Sequence, residues 1–533
     1  MGGAWAYAPA RQYPAQQYPV QYYPAKYYPA QPYKKAENVF KPDMTDFLFA
    51  LITFVLGYLF SRWVFLRWQG WGVTAFTTAY LLTVTAYLMK KGIFVKSHAA
   101  WFWMAVTWVT GASYTLWMNV GFAGIRLLLL VGSAVYYVIV ASGCTFMGKT
   151  GNYLLIDGIN AFTLIPLRNI INQYVSFAVL GKKKKRGKIL PVLLGVLFAL
   201  ILAAILIPIL RRADSGGFSI ILDFIEDAFR FIDLEFFFYA ILAIPIAAYI
   251  YGLISGVAHK KGTDIIEPKP IKETVDALRI LQPATINIVL GAVCGVYCVF
   301  ILSQIPYFFS AFTGNRPDGW LLYSEYARRG FFELSGIAVV NLIILTVGNL
   351  LSKKRRIEST ALKSLNIMLA VITLLLIATA FSKMALYIDA YGLTMPRLLP
   401  CVLMVFMAIV FIALIVLQKR DFSIVRFALI TGSIIVCVLS LCNLDAIVVR
   451  YNTDRYLSGT LLRYDTEILW RSGSAGILPA IEVYEATQDQ NLKKDLKDYL
   501  GYQNCMYREA NTQSLESYKA QKQLKLFWQR QEE

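Results

Sequence analysis

From Phe47 onward the sequence is a succession of long apolar runs separated by short polar breaks. A helix needs about 20 apolar residues to cross a hydrocarbon core of ~30 Å. Runs of that kind fall at 47–66, 71–89, 99–118, 125–147, 189–210, 235–256, 287–312, 331–352, 363–386, 397–417 and 424–446. The pattern predicts an all-α, polytopic membrane protein with about eleven transmembrane helices. Trp63, Trp68 and Trp71 crowd one helix end, and Trp101 and Trp103 another, where amphipathic rings favour headgroup depth.

The flanks break this pattern. Residues 1–46 place Tyr-Pro at 13–14, 18–19, 23–24 and 28–29, with no apolar stripe to bury. Regularly spaced prolines block helix and sheet, so this cytoplasmic tail is expected to be disordered with polyproline II character. The first apolar run follows that long tail, which predicts a retained membrane helix and not a cleaved signal. Residues 447–533 are polar, and Pro479, Leu492–Leu500 and Thr512–Gln531 mark two or three short helices of an extracytoplasmic tail. Two connections read as helices lying on the membrane surface. One is 153–180, with Asp157, Asn160, Asn169, Asn172 and Gln173 among apolar residues and a break at Pro166. The other is 220–233, with an acidic face.

Composition sharpens the class. Hydrophobic residues make up 57% of the chain and charged residues 16%, against roughly 25% in soluble domains. Mean hydropathy is +0.52. The net charge of +19 points to anionic lipid and away from nucleic acid. With the N-terminus inside, the inner segments carry 29 Lys and Arg and the outer loops 10, which predicts N-in and, with an odd span count, C-out. Lys182, Lys183, Lys184, Lys185 and Arg186 form a basic run suited to anionic lipid or to fixing topology. The seven Cys are scattered and there are two His, so no metal centre, redox motif or cofactor is expected. Neither GxSxG, a Walker loop, HExxH nor a GxGxxG before a helix is present.

Three charged stretches stand out because charge beside membrane helices is costly unless paired or wetted. Tyr323–Glu333 contains Glu325, Tyr326, Arg328, Arg329 and Glu333, with Glu325/Arg329 and Arg329/Glu333 both at i, i+4. Lys383–Arg397 contributes Asp389, Tyr391 and Arg397. Asn443–Tyr456 contributes Asp445, Arg450, Asn452 and Arg455. Under N-in topology all three fall outside, and consecutive elements are usually neighbours, so they are expected to converge on one outer polar patch. Self-satisfied ion pairs at helix ends are the alternative reading.

These stretches, YSEYARRGFFEL, LYIDAYGLTMPRL and NLDAIVVRYNTDRY, resemble the bacterial multi-pass family known as domain of unknown function 4173, with a relative numbered 4153. The resemblance covers roughly residues 290–485. It extends to Trp470–Ile481, where Ser474 or Gly476 stands at the place of an expected Asp. It implies a bacterial inner-membrane protein without a settled activity. Three functions compete. The first is a non-enzymatic sensor or scaffold of the cell envelope, meeting membrane lipids and an envelope protein through its C-terminal tail. The second is a transporter or lipid-handling protein. The third is an intramembrane enzyme using Glu325, Glu333, Asp389 or Asp445 as acid or base.

Overall fold

The computed structural model describes residues 40–65, 70–148, 150–177, 234–263, 266, 268–312, 320–353, 359–509 and 514–532, with a few isolated positions between them. The Tyr-Pro repeats, almost all of the 189–210 run, the 220–233 segment and Lys182–Arg186 lie outside the described residues. So do the side chains of Glu325 and Tyr326.

Regular structure among the described residues is helical, apart from one isolated bridge between Leu281 and Ser352. Four helices open the fold: α1 (Met44–Leu59, extended by a π-turn to Phe65), α2 (Gly70–Lys90), α3 (His98–Leu116) and α4 (Ala123–Ala141). Three short pieces follow, α5 (Leu154–Ile159), α6 (Ile165–Asn169) and α7 (Asn172–Phe177). Next come α8 (Leu234–Ala258), α9 (Pro268–Ala277), α10 (Pro283–Phe312), α11 (Trp320–Leu351), α12 (Thr360–Tyr391), α13 (Met395–Leu417) and α14 (Ile424–Leu441). The chain closes with α15 (Leu444–Leu457), α16 (Glu467–Ser472), α17 (Ile477–Ala486), α18 (Gln490–Glu509) and α19 (Leu515–Glu532).

The protein is an all-α polytopic membrane protein. Nine helices among the described residues are long and apolar enough to cross a membrane. The run at 99–118 forms α3 but is not among the nine. Its threonines and serines lower the hydropathy, and several of them turn inward, with Thr107, Thr110 and Ser113 all buried. The count of eleven read from the sequence therefore meets nine qualifying helices in the part that is described.

Two apolar cores fill the bundle. One joins α1–α4 with α8, through Phe49, Tyr87, Tyr137 and Tyr251. The other joins α10–α13, through Phe331, Leu369, Leu376 and Phe411. Helix α14 connects them by packing on α3, α4 and α13. Small residues permit the tightest crossings, as backbones in a membrane approach closely only where side chains are short. A Cβ on Gly252 or Gly256 of α8 would collide with Pro166 or Asn169.

The described part of segment 153–180, expected as a surface helix with its polar side outward, packs into the bundle with that side inward. Asp157, Asn160, Asn169, Asn172, Gln173 and Ser176 are buried, and Leu155, Ile159, Phe162, Leu167 and Ile171 face outward. The amphipathic pattern is real but inverted: α6 and α7 pack against α8 and turn their polar side inward. In lipid each polar group needs a partner inside the protein. Asn169 Nδ2 donates to the carbonyls of Ile165 (2.8 Å) and Lys261 (2.9 Å), Gln173 Nε2 to Thr53 Oγ1 (3.1 Å), and the hydroxyls of Ser176 and Tyr251 meet at 2.6 Å.

The final run splits. Helix α14 stops at Leu441, Cys442 is extended, and Asn443 caps α15 by accepting from the Ala446 amide. Helices α15–α19 then build a third core from Val448, Leu469, Ile477, Val483, Leu496, Tyr499, Leu524 and Phe527. The polar tail is thus a helical domain with an interior of its own, closed by Leu393 from the α12–α13 turn.

Contacts between helix ends sort the bundle into two faces. At one, Lys91 meets Asp43, the Val95 amide donates to Ala141 and the Lys353 amide to Leu281. At the other, the Trp117 indole donates to the Leu441 carbonyl (2.8 Å), and the C-terminal domain is seated there.

Candidate functional site

The site is assembled where the α3–α4 loop meets the start of α15. Asn119 sits in the left-handed region (φ 45°), which an Asn side chain tolerates. Its amide group spans the break between α14 and α15, donating to the Cys442 carbonyl (2.8 Å) and accepting from the Leu444 amide (2.9 Å). Next to it, Asp445 Oδ2 accepts from the Val120 amide (2.6 Å). Glu516, arriving on α19, accepts from the Met118 amide (3.2 Å) and from Asn443 Nδ2 (2.7 Å). Arg126, on the first turn of α4, is 1% exposed. It holds the loop from below, donating to the carbonyls of Trp117 (3.0 Å) and Met118 (2.6 Å) and lying 3.7 Å from the Tyr114 ring centroid.

Beside this seam lies a cavity of about 760 Å³. Volumes of roughly 300–1,000 Å³ are typical of small-molecule sites. Its floor is apolar, with Phe332, Met384 and Leu399 from α11, α12 and α13. Its roof comes from the C-terminal domain, with Asp445, Val448, Ile468 and Trp470. Arg328, Arg397 and Arg471 border it together with Asp465 and Glu467.

One charged residue from each of the three charged stretches borders this cavity, and the other charged residues sort into separate groups around it. Arg397 closes the α12–α13 turn: it donates to the Tyr391 carbonyl (2.8 Å) and the Gly392 carbonyl, with its guanidinium 4.5 Å from the Tyr387 ring centroid and 6.0 Å from that of Tyr391. Asn452 pins the same turn by exchanging hydrogen bonds with the Leu393 amide (2.8 Å) and carbonyl (2.6 Å). Gly392 (φ 79°) allows this approach, since any side chain there would strike Asn452. Arg455 meets Asp389 at 3.2 Å and donates to its carbonyl at 2.8 Å. Arg450 points the other way, to Asp454 (2.9 Å) and Glu482 (2.6 Å) on the domain surface. Arg329 and Glu333 pair with each other at 3.2 Å, 83% and 64% exposed. Of the predicted residues, Arg328, Arg397 and Asp445 border the cavity.

An exposed i, i+4 pair contributes about 0–1 kcal/mol, far below a buried one. Arg329→Ala and Glu333→Ala are therefore each expected to change thermal unfolding in detergent by less than about 1 kcal/mol, contrary to the marked loss that a buried network implies. A multi-kcal loss in either variant would show that the pair is enclosed in the membrane.

Burial pushes the Asp445 carboxyl up to about 6, with Glu516 adding to the rise and the Val120 and Gly121 amides and Arg126 opposing it. Glu516 is raised by burial as well, with Asn443, Met118 and Arg126 pulling it back. A carboxyl raised in the folded state stabilises the fold when protonated, and that contribution fades as pH climbs from the unfolded pKa of about 4 to the folded one. The stability difference between wild type and Asp445→Asn is expected to shift in favour of wild type as pH falls from 7 to 4.5. Parallel melting curves across that range would contradict it.

Several of these residues escaped the sequence reading. Asn119 and Glu516 look like ordinary loop and tail residues, and Arg126 counted only as one outer-loop charge. The signal available was a lone Arg within an otherwise apolar run, since such a charge marks a partner or a function. A second polar cluster, at the opposite face, was also missed. Asp46 is fully buried and receives Tyr87 OH (2.6 Å), Lys91 Nζ (3.0 Å), His259 Nε2 (3.1 Å) and the Asp43 amide (2.9 Å). Among the described residues no group of three or more His, Cys, Asp or Glu could hold a metal ion.

Fold and site together define an integral membrane protein whose helical bundle carries a compact helical domain seated over a cavity at one face. The family model described as Domain of unknown function (DUF4153) matches residues 104–483, and the chain belongs to that family. The match falls on the relative numbered 4153 and begins inside α3, well ahead of the three stretches. No curated protein and no solved structure matches the chain.

Proposed function

We propose that this protein is a non-enzymatic envelope sensor in the bacterial cytoplasmic membrane, N-terminus in and C-terminus out, that reports occupancy of its outer cavity through the C-terminal domain. The single observation behind this reading is the construction of the cavity. Its floor belongs to the membrane bundle and its roof to the C-terminal domain, so a bound molecule touches both. A ligand shifts an equilibrium only by its difference in affinity between two states, and a site shared by two bodies provides such a difference. The Lys and Arg asymmetry supports the orientation, and the three charged stretches support kinship with the 4173 family.

The connection from α15 to α16 gives a readout. Leu462 within it is 91% exposed, a natural point for proteolysis. Lipid and small-molecule extracts of the native membrane, added to the delipidated full-length protein, are expected to include a fraction that slows cleavage between 458 and 466. Unchanged cleavage with every fraction would contradict the sensor reading. Transport is the second reading, favoured by the broken, inward-polar segment α5–α7, whose α6 and α7 pack on α8, because interrupted helices line the sites of many transporters. Uptake or release of a solute by proteoliposomes would support it.

A further inference from the structure

The cavity carries an unusual distribution of charge. Arg471 is neutralised by Glu467 at 2.6 Å. Arg397 spends its hydrogen bonds on two carbonyls and the Tyr387 hydroxyl, all neutral groups. Arg328 is exposed, and neither it nor Arg397 makes an ion pair among the described residues. Two guanidinium groups on one cavity without a carboxylate partner suit an anion, and the planar fork of Arg matches phosphate.

The roof presents the opposite requirement. Asp445 is 1% exposed and borders the cavity. Its Oδ2 is bound by the Val120 amide, whereas Oδ1 accepts no hydrogen bond among the described residues. Gly121 lies directly against that oxygen: a Cβ there would stand 3.3 Å from Oδ1. A buried carboxylate oxygen without a partner is costly, and an N–H donor with positive charge satisfies it best. The floor of Phe332, Met384 and Leu399 runs from the cavity onto three membrane helices, a path suited to acyl chains.

We propose that the cavity takes a phospholipid whose headgroup carries a primary ammonium beside its phosphate, of the phosphoethanolamine kind, with the phosphate at Arg328 and Arg397 and the ammonium at Asp445. This rests on reading the cavity as a ligand site. A quaternary ammonium offers no N–H to Asp445, and a glycerol headgroup offers hydroxyl donors without charge, so both bind less well.

The test uses the delipidated full-length protein in detergent, titrated by native mass spectrometry with phosphatidylethanolamine, phosphatidylcholine and phosphatidylglycerol of matched acyl chains. Phosphatidylethanolamine is expected to bind about tenfold tighter than phosphatidylcholine, the scale of one charge-assisted hydrogen bond. Asp445→Asn, which keeps the shape and the Val120 contact, should erase that preference. Arg328→Gln, at an exposed position that does not threaten the fold, should weaken all three lipids. Equal binding of the ethanolamine and choline lipids, or a preference that survives Asp445→Asn, would overturn the headgroup assignment while leaving a ligand site in place if Arg328→Gln still weakens binding. Displacement by soluble phosphoethanolamine as effective as by the lipid would assign the site to a soluble compound and overturn the lipid. Lipid binding wholly insensitive to Arg328→Gln and Asp445→Asn would overturn both this proposal and the ligand-site reading beneath it.

Discussion

Asp46→Ala is expected to cost the protein about 3–5 kcal/mol, the scale of removing one partner from a buried ion pair. The carboxylate ties three helices at one point: Asp46 on α1, Tyr87 and Lys91 near the end of α2, and His259 just past α8. Asp43 and Asp46 also form a reciprocal capping box that starts α1, so the same change loosens the helix end. Alanine leaves Tyr87 without its acceptor and Lys91, 14% exposed, holding only Asp43. Lys91→Met should cost less, because Asp46 keeps Tyr87 and His259. Reversible unfolding in mixed micelles measures both, and a loss below about 1 kcal/mol for Asp46→Ala would place this cluster with solvated surface pairs.

Arg126→Ala is expected to lose a comparable amount, and to act at a distance. The guanidinium supports the carbonyls of Trp117 and Met118, and the next residues of that loop hold Asp445, Leu444 and Cys442. Without it two carbonyls lose their donor at the base of the loop that seats the C-terminal domain, while Asp445 and Glu516 lose a nearby positive charge. Cleavage between 458 and 466 should accelerate along with the drop in melting temperature. Arg126→Lys should rescue little, because one ammonium cannot bridge two carbonyls and lie over Tyr114 at once. Full rescue by Lys would reduce the role of Arg126 to charge alone.

The span pattern was legible because hydrocarbon thickness sets helix length directly, and the apolar runs of α1, α2, α8 and α10–α13 stand at nearly the expected positions. Segment 153–177 was legible as amphipathic, but its direction was not. An apolar stripe facing lipid and one facing a protein core have the same period, and only packing against α8 decides between them. The break at Cys442–Asn443 was hidden for a related reason. Val436–Leu441 and Leu444–Val449 are both mostly apolar, although Val448 and Val449 of the second belong to the core of the C-terminal domain. Of the candidate site, Arg397, Asp445 and Arg328 were recognisable as charges beside membrane helices. Their separation from Arg329, Glu333 and Arg450 depends on which side of each helix meets the bundle. The partnership of Asn119, Arg126 and Glu516 joins positions more than 300 residues apart, which local pattern does not encode.

A density map of the full-length protein, purified in native lipid and imaged in nanodiscs, tests the central claim most directly. The account predicts α15–α19 seated on the 117–121 loop, with non-protein density in the cavity reaching from Arg328 and Arg397 to Asp445. A C-terminal domain detached from that loop, or a seated domain above a cavity filled only with water, would contradict it.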